Sequence, residues 1–169
     1  MLFRSWPLQG PPGLQGRVFD RVLLALPPAQ TAPLLAPHEP DVAAQLAQRT
    51  MAPTWTLMAA SDGPAGAEWD VARPVDLVLS SVWRQTDRPG RASAHGLTHW
   101  VVHARADWSE RHLEDAATQV LQTLQESLSA FVGHALSWRH AQVHRWRYAV
   151  PGTAGETDSA VCWWSDSTG

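Results

Sequence analysis

One segment constrains this chain more than any other: His140-Ala141-Gln142-Val143-His144-Arg145-Trp146-Arg147-Tyr148-Ala149-Val150-Pro151. Side chains alternate across a strand. Gln142, His144, Trp146 and Tyr148 therefore share one face, and Ala141, Val143, Arg145, Arg147 and Ala149 the other. A half-buried strand ordinarily sorts apolar from polar residues. Here one face carries rings and the other mixes small apolar residues with two arginines. Such a strand suits a boundary between a core and a pocket. Core packing of Trp146 and Tyr148, with the arginines in water, satisfies the same pattern. Pro151 ends the ladder because it has no N–H to give.

A strand of this kind needs a sheet around it, and the rest of the chain predicts one. From Thr50 the texture is antiparallel β. Strands are expected at Thr54–Ala60, Val75–Trp83, Leu97–Ala104 and Ala135–Val150, with turns at Asp62-Gly63-Pro64 and Asp87-Arg88-Pro89-Gly90. Val75, Leu77 and Leu79 are expected on one face of the second. Between the last two strands lies the clearest helix. Leu113, Ala117, Val120, Leu121, Leu124 and Leu128 recur at helical spacing. Trp108-Ser109 is read as its N-terminal cap, Asp115 as a break, and Gly133 as its end.

The first 48 residues read differently. Asp20–Pro27 is a continuous apolar run, as in a strand buried on both faces of a parallel sheet. Short helices are expected at Ala29–Leu35, entered through Pro27-Pro28, and at Asp41–Gln48, with Val42 and Leu46 on one face. Gly10, Gly13 and Gly16 are spaced as a turn and not as G-x-G-x-x-G, and two prolines remove donors from the loop. A buried strand needs neighbours that the rest of the chain does not obviously supply. The tail 152–169 is loop-rich, with Val161–Trp164 as a candidate short strand. The expected fold class is therefore α+β: an antiparallel or mixed sheet packed against one long helix, plus a remnant strand of an α/β layer.

Charge and composition exclude several functions. A net charge of −3 lacks the basic footprint of a nucleic-acid binder. No apolar run is long enough to span a membrane, and Met1–Pro7 lacks the long apolar stretch of a signal peptide. Cys162 is the one cysteine, so an internal disulfide and a multi-cysteine metal site are out. A soluble, reducing, cytoplasmic setting is the expectation.

No metal site is expected. His95, His99 and His103 recur every fourth residue, but on a strand His99 and His103 stand about 13 Å apart along one face. His140 and His144 share that limit. Cys162 sits beside Trp163 and Trp164 without a basic neighbour in sequence, which favours packing over catalysis. There is no nucleophile elbow, zinc-protease helix or P-loop, and no catalytic residue is assigned. What stands out is indole: Trp55, Trp83, Trp100, Trp138, Trp146, Trp163 and Trp164 exceed what a core of this size needs. A π-rich wall for a planar heteroaromatic ring would use them.

Several segments also resemble a known family, in order. His144-Arg145-Trp146-Arg147-Tyr148-Ala149 resembles the "HRWRYA" signature of the renalase-like FAD-dependent oxidoreductases, in the flavin amine oxidase superfamily. Phe19–Gln30 is similar to the family's strand ending in an "A-x-P" turn near FAD. Met51–Met58 is similar to its "M-x-P-C-W-A-L-M" strand, with Thr54 where Cys is common. Arg88–Arg91, Trp100–Ala104 and Trp108–Glu114 follow in order. The match covers roughly residues 18–165.

The resemblance implies hydride transfer from a reduced substrate, a dihydronicotinamide or an amine, to FAD, with O2 as acceptor. It implies that Trp55, Arg145, Trp146, Arg147 and Tyr148 contact substrate, and that Ala25 and Pro27 approach the cofactor. It divides the chain into a remnant of the FAD-binding domain (1–48), a substrate-binding domain (49–151) and a tail leading toward a C-terminal flavin segment (152–169). The family's N-terminal G-x-G-x-x-G, which seats the FAD pyrophosphate, has no counterpart here. The chain alone is therefore expected to be inactive and to hold no FAD stably, unless a complementary FAD-binding polypeptide completes it. The alternative is a stand-alone Trp-rich module that binds a planar ligand or a protein without catalysis.

Overall fold

The computed structural model describes residues 6–7, 13, 18–19, 21–64, 66, 69–75, 77–86 and 96–151. They fall into two compact units, Met1–Gln48 and Arg49–Gly169. The turn expected at 87–90, the strand expected at 161–164, His95 and Cys162 lie outside the described residues.

In the first unit, β1 (Trp6–Pro7) pairs antiparallel with β2 (Val18–Phe19). Helix α1 (Pro28–Leu35) and helix α2 (Pro40–Ala47) follow, and each starts on a proline whose missing N–H costs nothing at that position. Thr31, Ala32 and Ala43 are buried between small residues, while Val42 and Leu46 are half-buried. The expected strand over Asp20–Pro27 does not form. Residues 21–27 join no ladder, and Leu23 is 93% exposed. A strand buried on both faces needs a hydrogen-bonding neighbour, and none of the described residues of this unit provides one for this run.

The second unit is an α+β layer. Its five-stranded antiparallel sheet has the order β4 (Val71–Ala72), β5 (Leu79–Arg84), β6 (Leu97–Ala104), β3 (Met51–Asp62), β7 (Trp138–Pro151). β6 runs exactly where alternation predicts it. β5 begins late: Leu79 pairs with Ala104, the last residue of β6, so the exposed Val75 and Leu77 before it have no partner strand.

Helix α3 (Ala106–Arg111) and helix α4 (Ala117–Val132) cover one face. The break near Asp115 is thus a full interruption of the apolar stripe. Val120, Leu124 and Leu128 of α4 recur every fourth residue and are buried on Leu57, Leu79, Val82, Trp100 and Val102. Ser109 does not cap a helix. Its hydroxyl, fully buried, accepts the Trp55 N–H at 3.0 Å, where the β3–β7 register shifts beside Pro53. Gly133 closes α4 at φ 82°, a left-handed conformation that suits glycine. Among the described residues, no helix is long and apolar enough to cross a membrane.

Candidate functional site: the uncovered face of the sheet

Strand parity sorts the sheet into two unlike faces. The helix-covered face carries Trp55, Leu57 and Ala59 of β3, Trp100 and Val102 of β6, and Ala141, Val143 and Arg145 of β7. The other face carries Thr54, Thr56, Met58 and Ala60 of β3; His99, Val101 and His103 of β6; Ser81 and Trp83 of β5; and His140, Gln142, His144, Trp146 and Tyr148 of β7. No described element of this unit packs over it, although Thr54, Thr56 and Ala60 at its centre are buried and the exposure lies at its larger side chains. Trp146 is 52% exposed, Tyr148 41% and Met58 39%.

The register builds this open face in rows. Thr56 pairs with His103 on one side and His144 on the other; Ala60 pairs likewise with His99 and His140. Four imidazoles therefore frame β3, with Met58, Val101 and Gln142 in the row between. Among the described residues, no group of three or more His, Cys, Asp or Glu converges as a metal site would. His103 Nδ1 and Thr56 Oγ1 are 2.9 Å apart, and burial pushes the His103 imidazole toward its neutral form. Whichever of the two donates, the contact fixes the orientation of the ring. The His144 ring meets the Trp146 indole edge-on at 4.5 Å. The carboxylate at the end of β3, Asp62, is tied to Arg139 at 2.7 Å.

The structure splits the five substrate residues expected from sequence. Trp146 and Tyr148 stand on the open face. Trp55, Arg145 and Arg147 stand on the covered one, where they fasten the α3–α4 link. Trp55 Nε1 donates to the His112 carbonyl at 3.0 Å. The Arg145 guanidinium lies over the Trp55 ring at 5.6 Å and donates to the Leu113 carbonyl and to Glu114. Arg147 donates to the other Glu114 oxygen at 2.9 Å. The Arg147 guanidinium, with that of Arg145, holds the Glu114 carboxyl below its usual range. Ala25 is exposed, and Pro27 gives its carbonyl to the Gln30 and Thr31 N–H groups at the start of α1.

The indole surplus has a plainer use than a wall of rings. Trp100 is buried and donates to Ser61 Oγ at 3.0 Å; Trp55 is buried, and Trp138 packs against the core. Trp146 and Trp83 carry the indole character of the open face. Thr56, Met58, Val101 and His103 join it through register, which alternation within single strands does not disclose. A shallow groove lined by Gln122, Gln125, Glu126, Ser129 and Trp138 runs along α4, on the covered side.

No protein-family model matches the chain. Its fold is shared with a crystal structure from Exiguobacterium sp. 255-15, a protein provisionally assigned as a protoporphyrinogen oxidase. The TM-score is 0.61 at 20% identity, over 80% of this chain and 30% of that one. Likeness at that identity shows a common fold. The chain thus spans less than a third of the length of the protein it matches.

Proposed function

We propose that this chain is the substrate-side sheet of a renalase-like FAD-dependent oxidoreductase, with the open face roofing the flavin ring. The observation that carries the reading is the face itself: a sheet surface lined by Trp146, Tyr148, Met58 and imidazoles, exposed at these rings and covered by no described element of its unit, in a fold shared with a protein assigned as an oxidase. Exposed rings on a sheet face fit a planar heteroaromatic group, whose π-face stacks on theirs. FAD would supply the two-electron acceptor for hydride from a reduced dihydronicotinamide or amine, with O2 as the final oxidant.

The chain's own part is to exclude water and orient. Trp146 and Tyr148 offer stacking surfaces. Gln142 and His144 offer hydrogen bonds, and His103, aligned by Thr56, offers an imidazole biased toward its neutral form. Arg145 and Arg147 act indirectly, by fixing β7 to the α3–α4 link. No G-x-G-x-x-G loop is present to seat a pyrophosphate. The FAD of the complete enzyme would be held by sequence outside this chain or by a second polypeptide.

The test is an indole-resolved NMR titration with lumiflavin, which has the ring and no pyrophosphate, beside one with FAD. The Trp146 indole N–H should shift saturably with both ligands to a similar degree, while those of Trp55 and Trp100 stay still. No shift at Trp146, or a shift confined to buried indoles, removes the open face as the flavin roof.

A further inference from the structure

β7 is the last strand of its sheet, and among the described residues nothing pairs with its outer edge. It is 14 residues long. Half of a strand's N–H and C=O groups point away from its one neighbour, so a bare edge is a template for another strand.

Register limits which part of that edge is regular. From Thr54↔Trp146 to Ala60↔His140 the β3–β7 ladder is uninterrupted. Beyond each end β7 carries extra residues: Val150 faces Ala52, and Trp138 faces Ser61. Such bulges kink a strand and end its pairing. The regular edge is therefore His140–Trp146, and its midpoint is Val143.

We propose that two copies of this chain pair antiparallel through this edge, about a two-fold axis at Val143. The axis stands perpendicular to the sheet, so both open faces look the same way and one sheet runs through both copies. This contact is isologous, the same patch on each copy. On the open face His140 meets the partner copy's Trp146, and Gln142 meets its His144. On the covered face Ala141 meets Arg145, and Val143 meets itself. Within His140–Trp146 no like charges oppose each other, which would be destabilising. Arg145 is already held by Glu114 and the Leu113 carbonyl. Just beyond this stretch Arg139 meets the partner copy's Arg147, a like-charge pair whose repulsion is offset because each guanidinium is ion-paired within its own chain, with Asp62 and Glu114. Centring the pair on Gln142 or His144 instead would push one end into a bulge.

The experiment is a mass measurement on the full chain by sedimentation equilibrium across a concentration series. The wild-type mass should rise to twice the 18.6 kDa of one chain. Gln142 and His144 are both exposed, so charges there leave the fold alone. The double variants Q142K/H144K and Q142E/H144E should each stay at the one-chain mass, with thermal melting equal to that of wild type at concentrations where it too is a single chain. Mixed in equal amounts they should regain the twofold mass, and added salt should abolish that gain. A wild type that stays at one-chain mass throughout overturns the proposal and leaves the edge to a different partner. So does a twofold mass that survives in both variants alone, or a mixture that fails to pair.

Discussion

Thr56 Oγ1 and His103 Nδ1 lie 2.9 Å apart across β3 and β6, on the face opposite α3 and α4. The pair puts a titratable group where burial disfavours its charge.

The sign of its effect on stability follows. The folded His103 pKa is lowered, so between that value and the ordinary 6.5 the unfolded chain binds the extra proton. The His103 contribution is fully present above about pH 6.5 and lost as pH falls toward the folded value. Urea midpoints measured on acidification should fall less steeply in His103→Asn than in wild type. Equal slopes would mean that His103 carries no such linkage.

Trp100 and Ser61 form a buried donor–acceptor pair at 3.0 Å. Ser61→Ala removes the acceptor and leaves the indole N–H without a partner, a cost of about 1–3 kcal/mol. The urea midpoint should drop with an unchanged m-value.

Two tryptophans on opposite faces should respond oppositely to truncation. Trp55 is 4% exposed and Trp146 is 52% exposed. Trp55→Ala should cost about 3–5 kcal/mol. Trp146→Ala should stay within about 0.5 kcal/mol. Chemical denaturation of the pair, measured side by side, distinguishes core from platform.

Gly133 holds φ at 82°, and an added Cβ would meet no atom within 4 Å. Gly133→Ala should therefore cost about 1–2 kcal/mol from backbone conformation alone. Gly133→Asn should recover part of that loss in thermal melts, because asparagine tolerates the left-handed region better.

The sequence by itself determined several local elements of the second unit. Alternation in Leu97–Ala104 set β6, the fourfold spacing of Val120, Leu124 and Leu128 set α4, and Gly133 set its end. These signals are local: a face buried by period 2 or 3.6 is written in consecutive residues. It also separated Trp146 and Tyr148 from Arg145 and Arg147, since neighbours on a strand point apart. Tertiary structure alone decided which of those faces α3 and α4 cover. It decided that Trp55 and Arg145 stack together under α3 and α4, and that His103 and His144 flank Thr56. It also denied a ladder to the apolar run before Pro27. The reason is common to all of these: hydrogen-bonded neighbours in a sheet come from distant parts of the chain, and register between strands leaves no mark within any one of them.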